Sequence, residues 1–121
     1  MKRIVLLSIL IAFVACHKDP VPVSLSVGFS ISKPSTIETI LCKAQLMGPQ
    51  NLDTSRFVYR WDWESDKNWD TKYSAIPSIR KSFTEAGEFQ ITVEALSDDG
   101  EVLTATQLLK VSQGFSAPNT C

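Results

Sequence analysis

The chain is 121 residues long, enough for one domain, and its 12 Lys plus Arg against 13 Asp plus Glu leave a net charge of −1. So even a balance supplies no basic field for nucleic acid, and no nucleic-acid partner is expected. Thirteen of the first sixteen residues are apolar, which inflates the overall figure of 44%. The remainder is about 38% apolar, lean but adequate for a small core, and without Lys2 and Arg3 its net charge falls to −3.

Met1-Lys2-Arg3 precedes a twelve-residue, largely apolar run from Ile4 to Ala15, and the chain turns polar directly after Cys16. A basic start, a short apolar stretch and a small residue at its end are the plan of a secretory signal. The run is shorter than the roughly 20 apolar residues that an ordinary spanning helix needs. Phe13-Val14-Ala15-Cys16 resembles a bacterial lipobox, with Phe13 a departure from the aliphatic residue usual at that position. The expectation is a cleavable signal over residues 1–15 and lipidation of Cys16, whose acyl chains hold the mature protein to a bilayer at about 0.8 kcal/mol per buried CH₂. Residues 16–22, with Pro20 and Pro22, read as a short extended tether. Lys18-Asp19 is similar to the short export signal of some Gram-negative surface lipoproteins. The localisation expected is therefore the outer membrane, facing either the cell surface or the periplasm.

Two cysteines then remain in an oxidising compartment. Cys42 lies in an alternating stretch that places it on one face with Ile40, Ala44 and Leu46, which favours a buried free thiol. A Cys42–Cys121 disulfide is the alternative. The single histidine, His17, sits beside the lipidation point, which excludes a Ser-His-Asp or Cys-His site in the body of the chain. No glycine-rich phosphate loop occurs among the five glycines.

From Val21 onward apolar residues recur with period two and turn signals fall at regular intervals, the pattern of an all-β sandwich or barrel. Val23 to Ile31 reads as a first strand with its odd-numbered residues inward, and Ile37 to Met47 as a second, closed by Gly48-Pro49. Phe57 to Trp63 is a third, its aromatic face opposed by Val58, Arg60, Asp62 and Glu64. Ser65 to Ser74 reads as a polar loop with a short edge strand. Ile76 to Phe83 follows, with Pro77 fitting an edge because it lacks an N–H. Gly87 to Leu96 is the clearest strand, and Ser97-Asp98-Asp99-Gly100 a hairpin turn into a last strand, Glu101 to Ser112. A helix over that last segment is disfavoured by the β-branched Thr104 and Thr106 and by the hairpin signal.

Tyr59-Arg60-Trp61-Asp62-Trp63, then Phe83 to Val93 through Gly87, then Asp98-Asp99-Gly100, resemble the segments of the PKD (polycystic kidney disease) domain family. Tyr59, Trp61, Asp62 and Gly87 match the family pattern directly. Trp63, Ala86 and Phe89 are substitutions in it, and Glu64-Ser65-Asp66-Lys67 does not reproduce its Gly-Asp-Gly turn. The resemblance implies an immunoglobulin-like β-sandwich of about seven strands over residues 23–112. It leaves residues 113–121 as a C-terminal tail or linker. Independently of the family, Trp61 is large enough to fill the roughly 10 Å between two sheets. Asp62, on the other face, is placed to accept from turn backbone and is structural.

Two clusters are candidates for binding. Asp66 and Asp70, with Glu85 from the turn expected at the same end of the sandwich, could supply oxygens to calcium, although the spacing lacks the rhythm of a dedicated loop and a solvated rim accounts for it more simply. No other metal or cofactor is expected. Trp69 and Tyr73, with Trp63 at the end of its strand, could stack on sugar rings; the alternative is that they fold over the open end of the sandwich as a lid. The function expected is a non-catalytic PKD-like interaction module for envelope protein or carbohydrate, with a structural spacer that contacts a partner through a sheet edge as the alternative. A sandwich of this size has little room for the carboxylate cleft of a sugar hydrolase.

Overall fold

A computed structural model of the chain describes residues 21–115. The expected signal, Cys16, most of the tether and Cys121 lie outside the described residues. Within them the architecture is two three-stranded antiparallel sheets packed face to face. One has the order β1 (Ser24–Phe29), β2 (Thr39–Met47), β4 (Ser78–Ser82), and the other β3 (Phe57–Asp62), β5 (Gly87–Ser97), β6 (Val102–Val111). The all-β sandwich is as expected. Six strands stand in place of seven, because the short edge strand looked for within residues 65–74 is reduced to a single bridge between Tyr59 and Ser74. β4 is also shorter than its apolar pattern suggested, beginning after Pro77 at the free edge of its sheet.

Alternation explains the burial. Ile40, Cys42 and Ala44 of β2, Phe57, Tyr59 and Trp61 of β3, and Ile91, Val93 and Ala95 of β5 all point into the core. Inward residues of β1 (Leu25, Val27 and Phe29) pack on it from the first sheet. Trp61 is 2% exposed and stacks on Trp63, with ring centroids 5.4 Å apart and planes at 12°. Phe83 and Phe89 form a second aromatic pair at 4.7 Å. An offset pair of this kind contributes about 1 kcal/mol beyond the burial of its area.

The loops are fixed by local chemistry. Gly100, at φ +92°, closes the β5–β6 hairpin, where its N–H donates to Ser97 O at 3.0 Å. After β3 the chain turns through two non-glycine residues in the left-handed region, Ser65 (φ 51°) and Lys67 (φ 71°). The buried Asp62 carboxylate holds that turn, accepting the Glu64 N–H on Oδ1 at 3.1 Å and the Lys67 N–H on Oδ2 at 2.9 Å. The structural role expected of Asp62 is thus the one it has. Residues 113 and 114, expected to begin a loose tail, are docked instead. Ser112 bridges Ser35 in parallel, the Gly114 N–H donates to Thr36 Oγ1 at 2.9 Å, and a Cβ at Gly114 would meet Ile37 and Ser35 at 2.8 Å.

Cys42 is a free thiol, fully buried on β2, and burial pushes its pKa up to about 12 from an ordinary 9.0. The disulfide alternative involves Cys121 and so lies outside the described residues. A thiol that ionises more readily when unfolded favours the folded state below pH 9, and that contribution is lost as pH rises from 9 towards 12. Urea unfolding measured across that window should show stability falling, with a shallower fall in Cys42→Ala. Iodoacetamide should leave Cys42 unmodified in the folded protein and alkylate it in urea.

Candidate functional site

The structure separates the three aromatic residues that the sequence grouped together. Trp63 is 8% exposed and belongs to the core stack. It forms the wall of a cleft of about 280 Å³ at one end of the sandwich, beside Phe83, Phe89, Asp70 and Glu85. Trp69 and Tyr73 do not close that end as a lid. They lie across the outer face of β3, where both rings pack on the Arg60 guanidinium, with its carbon 4.4 Å from the Trp69 ring centre and 4.5 Å from that of Tyr73.

Backbone pairing explains why the loop reverses onto this face. The free edge of β3 is occupied by the loop itself. Asp70 N–H donates to Trp61 O at 2.9 Å, Trp61 N–H donates to Thr71 Oγ1 at 2.9 Å, and Tyr59 and Ser74 exchange backbone bonds at 2.8 and 2.9 Å. Two residues beyond Trp61, the Trp63 N–H donates to the Asp70 carboxylate at 2.8 Å. With residues 70, 71 and 74 anchored, Trp69 and Tyr73 flank a fixed stretch of chain above Arg60.

Arg60 is held in turn by its neighbour on β5. Residues 60 and 94 are direct cross-strand partners, and Arg60 Nε lies 2.9 Å from Glu94 Oε1. The Tyr73 hydroxyl donates to the same carboxylate oxygen. That hydrogen bond, more than desolvation, raises the Tyr73 pKa above its ordinary value, because ionising the phenol would set an anion against Glu94. The Glu94 side chain is 11% exposed and that of Arg60 28%, so the pair is shielded enough for the charges to matter. A cation on two aromatic faces adds about 1 kcal/mol or more at such a site. The product is a rigid platform of two aromatic rings, one guanidinium and one carboxylate. Around it the same sheet face presents Thr92 and Thr106, whose hydroxyls lie 2.8 Å apart, and Thr104 on β6.

Arg60 and Glu94 were not picked out from the sequence as site residues. The signal was present: both fall at polar positions of strands whose other face is aromatic or aliphatic, and they carry opposite charges.

Two of the three calcium candidates serve other partners. Asp66 accepts the Asn68 N–H at 3.0 Å, a backbone bond that holds its carboxyl below the usual range, and Asp70 serves Trp63. Asp70 and Glu85 do share the end cleft, as the expected loop order required. Among the described residues no three His, Cys, Asp or Glu side chains converge as a metal site. The cleft also contains Lys81, its ammonium 5.2 Å from the Trp63 ring centre and 5.3 Å from that of Phe83.

No family model matches the sequence, and no curated protein does. Solved structures match by shape. The PKD1 domain of the Vibrio cholerae metalloprotease PrtV aligns at a TM-score of 0.52 with 19% identity, over 74% of this chain and 99% of that one. The PKD1 domain of Vibrio anguillarum Epp aligns at 0.51 with 15% identity, over 75% of this chain and 96% of that one. The fold is a PKD-like immunoglobulin-type sandwich. A third structure, from work on the promiscuous specificity of carbohydrate-binding modules of the β-sandwich superfamily, aligns at 0.61 with 18% identity over 80% of this chain. The PKD-like chain spans only 37% of that protein's length.

Arg60→Ala should leave the Glu94 carboxylate shielded with one donor fewer and both rings without their cation. A loss of about 2–4 kcal/mol in urea unfolding is expected. Faster trypsin cleavage at Lys67 or Lys72 should accompany it, since the loop loses its hold on the sheet.

Proposed function

We propose that the protein is a lipid-anchored envelope component whose PKD-like sandwich is a non-catalytic module for carbohydrate. The observation that carries the reading is the platform on β3 and β5. Sugar rings present C–H faces to aromatic side chains and hydroxyl pairs to planar charged groups. Here Trp69 and Tyr73 supply the first and the partly exposed Arg60 the second, with Glu94 buried beneath as its partner. Both rings are set in place before any ligand arrives, so little ordering cost accompanies binding. Tyr73 is 39% exposed, so part of its ring is open to solvent. The similarity of shape to a carbohydrate-binding module supports the reading. Trp63, being inside the core, takes no part in it.

The anchor is proposed from the sequence: residues 1–15 as a signal and Cys16 as the lipidated residue, in the outer membrane of a Gram-negative cell. Geometry is compatible with it. Val23 lies beside Ser97, Asp99 and Glu101, at the end of the sandwich opposite the cleft lined by Asp70 and Glu85. A tether entering there leaves the far cleft facing away from the lipid and the β3 platform on the flank of the domain.

On an array of glycans and cell-surface polysaccharides, residues 17–121 should bind at least one ligand. Trp69→Ala with Tyr73→Ala should weaken that binding by about tenfold or more, as expected from the loss of two stacking faces. Silence of the unsubstituted protein across the array would remove carbohydrate recognition and leave a protein partner. Palmitate fed to expressing cells should label the full chain and not Cys16→Ala.

A further inference from the structure

The two sheets differ in how their edges are protected. β3 is sealed by residues 70–74, as described above. β4 is only five residues long, is entered through a proline and carries Arg80 and Lys81, all of which discourage edge pairing. The remaining edge, β1, packs beside β6 where the two sheets come closest, and β6 itself has none of these defences. It is ten residues long, Val102 to Val111, and pairs with β5 along its whole length on one side. On its other side, among the described residues, no backbone hydrogen bond is made until Ser112, where Pro34 and Thr36 close the edge. Its sequence, VLTATQLLKV, contains one charge and no proline. Val102 is 53% exposed and Leu108 38%, and Thr104, Thr106 and Gln107 are exposed as well.

We propose that β6 is a homodimerisation edge, pairing antiparallel with β6 of a second copy about a two-fold axis at Thr106. Two observations and a symmetry argument favour a second copy over another partner. Antiparallel pairing sets same-face residues opposite one another, so an axis at Thr106 places Thr106 against itself, Thr104 against Leu108, and Val102 against Lys110. No like charges meet, and the alkyl stem of each Lys110 covers an exposed Val102. The edge is closed by Ser35 and Ser112 at one end and by the Ser97–Gly100 turn at the other, so it fits a partner strand of its own length. A two-fold contact is isologous and ends at two copies, which satisfies both edges without leading to a filament.

The pairing does not depend on what the platform binds, but it would multiply it. The two sheets become one of six strands, and the axis runs perpendicular to it, so the outer faces of both β3 strands look the same way. They would stand five strand spacings apart, about 24 Å at roughly 4.8 Å per strand. Two coplanar platforms at that distance suit a repeating polymer, where the second contact follows the first at high effective concentration.

The full chain in detergent, examined by sedimentation equilibrium from about 1 µM to 1 mM, tests this. Wild type should dimerise. Thr106→Lys and Thr106→Glu, each setting like charges face to face at the axis, should raise the dissociation constant by about fivefold or more. An equimolar mixture of the two should recover dimers, and Thr106→Val should behave as wild type. Near-UV circular dichroism of the Trp61–Trp63 pair reports whether each variant is folded. A wild-type chain that stays monomeric throughout overturns the proposal. So does a dimer that ignores Thr106→Lys, or folded Lys and Glu variants that fail to pair when mixed.

Discussion

Trp61 ties the two halves of this molecule together through different parts of the same residue. Its side chain sits in the core between the sheets, stacked on Trp63. Its main chain faces the open edge of β3 and holds residues 70 and 71 there. A loop fastened at those atoms cannot stand away from the sandwich, and the rings on either side of the fastening come to rest on the outer face. The core and the exposed platform are thus joined through one residue. Anything that shifts β3 in its register moves both.

The charged groups around β3 follow the same logic. Arg60 and Glu94 oppose one another because the ladder between β3 and β5 brings residues 60 and 94 side by side. Alone, a surface pair contributes little, but here aromatic rings cover the cation and a phenol shares the carboxylate. No side-chain polar atom buried among the described residues is left without a partner. Asp62, deeper and without a cation at hand, is satisfied by backbone N–H groups of a turn that uses two positive φ values at non-glycine residues. Such a conformation costs about 1–3 kcal/mol per residue elsewhere and persists when its surroundings over-determine it.

Much of this was legible in the sequence, and the reasons are specific. Period-two alternation located all six strands, because each has one dry and one wet face. Gly100 marked the hairpin, since a positive φ there asks for glycine. Cys42 and Trp61 could be assigned to the core by phase alone. The loop from residue 65 to 74 was the least legible part. Its aromatic residues suggested exposure, but nothing in their spacing revealed that the free edge of β3 would capture residues 70, 71 and 74, or that Arg60 would receive both rings. The capture rests largely on backbone atoms of residues 59, 61, 70 and 74, which carry no sequence signature. The docking of Gly114 was hidden likewise: a glycine in a polar tail looks like a hinge until the side chains of Ile37 and Ser35 are seen against it.

The course of the chain has a mechanical side. Val23 lies at the end of the sandwich that carries the Ser97–Gly100 turn, while Gly114 rests against Thr36 at the opposite end. A pull applied between these two points runs along the strands. The six residues of β1 matched to β2 are then loaded together in shear, as is the contact between Ser112 and Pro34. Hydrogen bonds loaded side by side share a force that would open them one after another if it acted across the ladder. A domain threaded in this direction transmits tension while keeping the β3 face intact.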